Sequence, residues 1–221
     1  MSPRAAAVPA PEPTSTRDAI LDAAERCFAD RGFAGVSMRE IAAEVGLRNQ
    51  ASLYHHFADK RALYEATLAR GVAPIVALME QSGGGWLDPA EVERNVDRLL
   101  DYLAAHPHLP RLIQRAGLDD SRSLRTAVRT LLRPLYTHGL RLLQGAVGPW
   151  EPADLPQLAT GLYHLIFGYF ADAALFEVIV EEDPRTPAAV ARQRRFLEAA
   201  VAQLLGVAPS PRPLPVGRRR H

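Results

Sequence analysis

The chain has 221 residues, a net charge of +1, 48% apolar residues and one cysteine. An apolar fraction of that size is enough for a packed core and excludes a disordered chain, while the near-zero charge excludes a uniformly polycationic nucleic-acid binder. A lone cysteine excludes an internal disulfide and fits a reducing, cytoplasmic compartment.

Residues 1–14 are rich in Ala and Pro without the apolar centre of a signal peptide, and read as a disordered lead. Thr16 or Ser15 caps a first helix that runs to about Asp30, with Ile20, Ala24, Cys27 and Phe28 at helical spacing and Gly32 at its end. Cys27 on that face reads as a small buried side chain. Phe33 and Val36 close the gap before Ser37. Ser37 followed three residues later by Glu40 is a capping box, in which each side chain satisfies the other residue's backbone donor. Ile41 and Val45 mark the buried face of this second helix, Gly46 ends it, and Asn49 caps a third.

At about 100° per residue, the third helix carries Leu53, His56 and Phe57 on one edge and Ala51 and His55 on the other, with Ser52 and Tyr54 flanking the outer edge. The stretch Ser37 to Phe57 therefore has the form of a helix-turn-helix. Its inner edge can dock on its own domain while its outer edge enters a DNA major groove, which admits a helix. Ala51 and Ser52 are small enough for close backbone approach. Gln50 can pair bidentately with adenine, worth about 1–3 kcal/mol of discrimination. Tyr54 and His55 suit phosphate oxygens, which fix position rather than sequence. The alternative is a plain helical hairpin whose polar residues face water. Through Arg61 the eight basic residues are matched by eight acidic ones, but the acids cluster on the first helix, whereas Arg39, Arg48, Lys60 and Arg61 bracket the hairpin. Such a rim can neutralise phosphates locally. Lys60 is the single lysine among 26 basic residues. Asp59 caps a fourth helix with Leu63, Thr67 and Leu68 on its inner face, and its pattern is interrupted near Gly71 and Pro74.

Residues 17–68, carrying GFAGVSMREIAAEVG, then LYHHF, then DKRALYEA, resemble the DNA-binding domain of the tetracycline-repressor (TetR) family. The resemblance implies that Gln50, Ala51, Ser52 and His55 face DNA, that Tyr54 and Lys60 contact phosphates, and that Ser37 and Arg39 add contacts at the preceding helix start. It also implies that His56 and Phe57 pack inside. Gly46-Leu47-Arg48-Asn49 is one residue longer than the usual family turn. The extra residue lies before the third helix, so Leu53, Tyr54 and Phe57 keep register, and Arg48 is the position it displaces; Arg48 is retained among the DNA-binding residues.

The implied architecture is all-α with about nine helices. A helix-turn-helix domain at 15–61 is followed by a ligand-binding and dimerisation domain at 62–206 and by a disordered, basic, proline-rich tail at 207–221. Ser82 to Gly85 break the chain, and Asp88-Pro89 starts a helix with Val92, Val96, Leu99, Leu100 and Leu103 on its apolar face up to Pro107. A short helix at about 109–118 and a long one from about Ser121 to Val147 follow, the latter with Leu124, Val128, Leu131, Leu135 and Leu142 on one face and a kink at Pro134. Asp154 to Glu182 is apolar around most of its circumference. His164, Asp172 and Glu177 argue against a membrane span, so it reads as a buried helix in which Gly161, Gly168, Ala171 and Ala174 permit close approach. Thr186-Pro187 opens the last helix, which ends at Gly206. The resemblance assigns the helices near 154–182 and 186–206 to a homodimer interface, and a dimer can read a palindromic double-stranded operator with one recognition helix per half-site.

Enzymatic motifs are missing from the sequence. No Glu is followed three residues later by His, and no nucleophile elbow or phosphate loop is present. His106-Pro107-His108 lacks partners to complete a metal shell, so no metal and no cofactor are expected. A helical-bundle enzyme and a helical protein-interaction adaptor stay open as alternatives. Tyr102, His106, Tyr136, His138, Trp150, Tyr163, His164 and Phe167 are candidates for a pocket lining, which favours a lipophilic or aromatic small-molecule effector. Release of operator by that effector, with the fourth helix swinging, is what the resemblance implies for mechanism. Arg218, Arg219 and Arg220 are candidates for a nonspecific DNA contact.

Overall fold

The computed structural model describes residues 15–81, 88–118, 122–144 and 150–206. The lead at 1–14, the break at 82–85, Val147 and the tail with Arg218 to Arg220 lie outside the described residues. The regular elements among the described residues are all helices: α1 (Thr16–Arg31), α2 (Met38–Glu44), α3 (Ala51–Tyr54), α4 (Lys60–Gln81), α5 (Pro89–Ala105), α6 (Leu109–Gly117), α7 (Arg122–Leu143), α8 (Leu155–Tyr163), α9 (Tyr169–Ala171), α10 (Ala173–Val180) and α11 (Pro187–Leu204). A three-residue 3₁₀ turn precedes α8, and a π-helical stretch, His164–Gly168, joins α8 to α9.

The helix starts follow the capping chemistry read from the sequence. Ser15 accepts from the Asp18 N–H, Asp88 from Ala90 and Thr186 from Ala189. Ser37 and Glu40 form the full capping box. Ile20, Phe28, Ile41, Leu53, Leu63 and Leu68 have no measurable exposure and make the core of the N-terminal half, with Cys27 buried beside them. Three aromatic rings, Phe28, Phe33 and Tyr64, meet there at 5.0–6.2 Å.

Helix α4 does not break at Gly71 and Pro74; it runs unbroken to Gln81. Two contacts hold it there. A Cβ on Gly71 would stand 2.3 Å from Leu109 Cδ1, so the glycine is what lets α6 lie against α4. The Gly71 carbonyl in turn accepts a hydrogen bond from the Tyr102 hydroxyl at 2.8 Å. Because α4 packs on α1 at one end and on α7 further along, it belongs to both halves of the molecule.

Asp154 to Glu182 is not one helix. The chain bends by 69° between residues 152–171 and 173–180, at Asp172. Beyond the bend α10 is not buried: Val178 is 78% exposed, Ile179 66% and Val180 60%, while Phe196 on α11 is 52% exposed. A sequence apolar on nearly all sides predicts burial, and within a single chain that burial does not occur.

Candidate nucleic-acid interface and apolar cavity

The second and third helices are joined by a turn that satisfies its own backbone. Gly46 has φ +74°, its N–H donates to Ala43 O (3.0 Å), and the Leu47 N–H reaches back to Ala42 O (2.9 Å). This pair of bonds is the Schellman termination, which needs a residue tolerant of positive φ. Leu47 then packs on the core while Arg48 is exposed, so the additional turn residue is absorbed with its side chain outward. Asn49 Oδ1 accepts from the Ala51 N–H at 2.9 Å and starts α3.

Helix α3 is a single turn, with Leu53 fully buried and Phe57 5% exposed. His56, expected inside, is exposed. The His56 N–H bonds the carbonyl three residues back, Leu53 O, at 2.9 Å, a tightened last turn that turns His56 outward, while Phe57 bonds the same oxygen at the α-helical spacing and stays inside. The Arg17 guanidinium lies 5.0 Å from the Phe57 ring centroid, holding the start of α1 against this turn.

An open groove of about 550 Å³ runs between the start of α2 and α3. Ser37, Arg39, Gln50, Tyr54 and Lys60, five of the nine residues singled out for DNA contact, line it together. Arg48, Ala51 and His55 are exposed outside the groove and Ser52 is half-buried. Arg39 and Arg48 have no ion pair among the described residues, whereas Arg26, Arg31 and Arg61 are paired with Glu44, Glu40 and Glu65. The free cations on this face are therefore those beside the groove.

Two groove residues also hold structure. Ser37 N–H and Oγ both donate to Glu40 Oε2, at 2.7 and 2.6 Å, and Arg31 bonds the other carboxylate oxygen. The Ser37 hydroxyl and backbone bonds, then the Arg31 bond, hold the Glu40 carboxyl at a pKa of about 2. Lys60 Nζ donates to Phe33 O (2.9 Å) and Val36 O (2.8 Å) and lies 4.3 Å from the Phe33 ring centroid. An ammonium has three donors, so one remains for an outside acceptor.

A second feature lies in the C-terminal half. An apolar cavity of about 510 Å³ opens between α4, α5, α6, α7, α8 and α11. Of the eight pocket candidates, Tyr136, Tyr163, His164 and Phe167 line it, with Tyr163 and Phe167 stacked at 5.0 Å. The other four candidates stand elsewhere. Tyr102 is tied to Gly71, and burial, then the nearby Glu25 charge, push its hydroxyl to about 12. His106 packs on Tyr102 at 4.5 Å, His138 faces Glu80 (3.2 Å) and Arg141, and Trp150 Nε1 donates to Leu204 O. Most of the wall is aliphatic, including Met79, Leu99, Leu132, Leu142 and Val201. These are ordinary helical core positions, and the signal that would have found them is that several apolar faces converge on one space.

Helix α6 touches both regions. Ile113 and Gln114 face the cavity, while Arg111 pairs with Asp30 (3.2 Å) and Arg115 donates to Asp30 O (2.7 Å) at the end of α1. Arg70 on α4 adds a bond to Asp22 at 2.7 Å and reaches Glu25, whose carboxyl is raised by burial and partly restored by Arg70. Among the described residues no group of three or more His, Cys, Asp or Glu is placed to hold a metal ion.

Residues 20–67 match the family described as bacterial regulatory proteins, tetR family. The HTH-type transcriptional repressor SCO4008 of Streptomyces coelicolor is 34% identical over 108 residues, covering 49% of this chain and 53% of that protein. The HTH-type transcriptional repressor DrrR1 of Streptomyces coeruleorubidus is 28% identical over 175 residues, 79% of this chain and 58% of that one. The chain thus spans little more than half the length of these relatives. Among solved structures, the TetR family transcriptional regulator PfmR of Thermus thermophilus superposes with a TM-score of 0.62 at 19% identity, covering 90% of this chain and all of that one. That likeness shows a shared fold.

Proposed function

We propose, from the match of residues 20–67 to the family of bacterial regulatory proteins of the tetR type, that the chain belongs to that family and is a cytoplasmic transcriptional repressor. It binds a palindromic double-stranded operator as a homodimer and is released by a small lipophilic or aromatic effector. The observation that carries this reading is the groove in which Ser37, Arg39, Gln50, Tyr54 and Lys60 converge beside the uncovered edge of α3. Leu53 and Phe57 anchor the turn from within, so the outer edge is presented on a fixed base. Gln50 and the small Ala51 and Ser52 approach base edges; Arg39, Arg48, Tyr54, His55, Ser37 and the third donor of Lys60 hold phosphates.

Dimerisation is supported by what the single chain leaves uncovered. Leu175, Phe176, Val178, Ile179 and Val180 on α10 and Phe196 on α11 expose a large apolar surface, the kind that marks a protein contact. Gly161 and Gly168 have no atom within 4 Å of where a Cβ would stand, leaving room for a helix of a second copy. The cavity wall on α6 and the α6–α1 contacts at Asp30 give effector binding a physical route to the DNA-facing helices. An effector acts through this route only by binding one arrangement better than the other. Footprinting the full chain on the DNA upstream of its own gene tests the proposal. Protection of a palindromic segment that is lost on adding an effector supports it; no protection at any salt concentration overturns it.

A further inference from the structure

We propose that the cavity selects an uncharged ligand and excludes carboxylates and ammonium groups, an inference that rests on reading this cavity as the effector site. Among the described residues none of the lining side chains is Lys, Arg, Asp or Glu. A volume of about 510 Å³ falls in the range of small-molecule sites, about 300–1,000 Å³. A charged group entering such a space leaves water and loses several kcal/mol of solvation, and among the described lining residues only Gln114, His164 and hydroxyl groups can hydrogen-bond it, with no Lys, Arg, Asp or Glu as counter-ion.

The polar groups present suit a neutral molecule. Tyr163 lines the cavity, its hydroxyl has no hydrogen-bond partner among the described residues, and burial raises its pKa, so it stays a neutral donor and acceptor. Its ring is stacked with Phe167, which offers a flat apolar surface beside that hydroxyl. Thr160 Oγ1 is already bonded to Pro156 O. Gln114, Tyr136 and His164 add a few further neutral polar groups to the apolar wall, so the ligand class is a largely hydrocarbon, planar molecule with a small number of uncharged hydrogen-bonding groups, such as a phenol, ketone or amide. The π-helical stretch His164–Gly168 forms part of this wall, and departures of that kind from the α-helix recur at functional sites.

The test uses the full-length protein and the fluorescent neutral probe N-phenyl-1-naphthylamine, displaced by 2-naphthol, 2-naphthoate and 2-naphthylmethylammonium at pH 7. Displacement by 2-naphthol at concentrations about a hundredfold below those needed for either ion is expected. Gly139→Leu is the matched variant. Gly139 lines the cavity, and nothing lies within 4 Å of an added Cβ, so the new side chain occupies ligand space on a helix that gains from losing a glycine. It should bind the probe at least tenfold more weakly while melting no lower than the parent. Equal displacement by 2-naphthoate, unchanged probe binding by Gly139→Leu, or no probe binding by the parent would each overturn the inference. None of these readouts involves DNA, so failure to bind an operator would sink the repressor reading and leave this result standing.

Discussion

Lys60 is where the predicted interface and the observed structure make separable demands. Replacing it by methionine keeps the aliphatic stem and removes only the ammonium. Two bonds from a charged donor to Phe33 O and Val36 O are lost, each worth about 1.5–3 kcal/mol, together with a cation–π contact of about 0.5–1 kcal/mol. Lys60 is half-buried and the freed carbonyls regain water, so the net loss falls below that sum, at about 2–4 kcal/mol. For a chain of this length that lowers the melting midpoint by about 4–15 °C. The loop 33–36 delivers Ser37 to its capping box, so operator binding weakens as well. Thermal unfolding followed by circular dichroism, paired with binding titrations at several salt concentrations, measures both effects. If Lys60→Met melted with the parent and only its salt dependence fell, the lysine would act on phosphate alone and the positioning argument would be wrong.

Other substitutions probe the remaining parts. Gln50→Ala should relax base preference at one position of each half-site by about 1–3 kcal/mol in competition with altered duplexes, while Arg39→Ala should weaken binding to all duplexes and reduce the salt slope by about one. Ile179→Asp on the exposed face of α10 should leave the melting temperature of the isolated chain unaltered but shift sedimentation from dimer to monomer and weaken operator binding. Tyr102→Phe should cost about 1 kcal/mol in urea unfolding by removing the bond to Gly71 O. In the parent this tyrosine should ionise near pH 12 rather than 10 in an ultraviolet titration. Because its folded pKa is the higher one, that contribution to stability is present below pH 10 and lost as pH rises toward 12. Glu40 has the opposite sign: its folded pKa of about 2 lies below the ordinary 4.5. The capping box should therefore persist above pH 4.5 and loosen as pH falls toward 2, seen as the carboxyl titration of Glu40 by NMR.

The N-terminal half was legible because its signals are local. A Ser and a Glu three apart, a glycine at a positive φ and an Asn before a helix each dictate one backbone event, and Ser37, Glu40, Gly46 and Asn49 perform them. His56 escaped because the last turn of α3 tightens there, its N–H bonding the carbonyl three residues back, so an even spacing of about 100° per residue gave the wrong face at that position. Gly71 and Pro74 suggested a break for the right intrinsic reason, and tertiary contact overrode it: Leu109 needs the space beside Gly71, and Tyr102 holds its carbonyl. The cavity was half legible. Aromatic and histidine side chains drew attention to Tyr136, Tyr163, His164 and Phe167, but a wall of Leu, Met and Val looks in sequence like any other core. The bend at Asp172 and the exposed face of α10 escaped because an unbroken apolar run carries no local signal for a change of direction, and apolar periodicity predicts burial without saying against what.

The central claim is that the uncovered edge of α3 reads DNA twice in a symmetric pair. Selection of binding sequences by the full-length protein from random duplexes addresses it directly. The recovered sequences should share an inverted repeat whose half-site centres lie about one helical turn apart, about 34–36 Å, and each duplex should carry an even number of chains. Recovery of sequences without symmetry, bound by single chains, or no enrichment over the starting pool would contradict it.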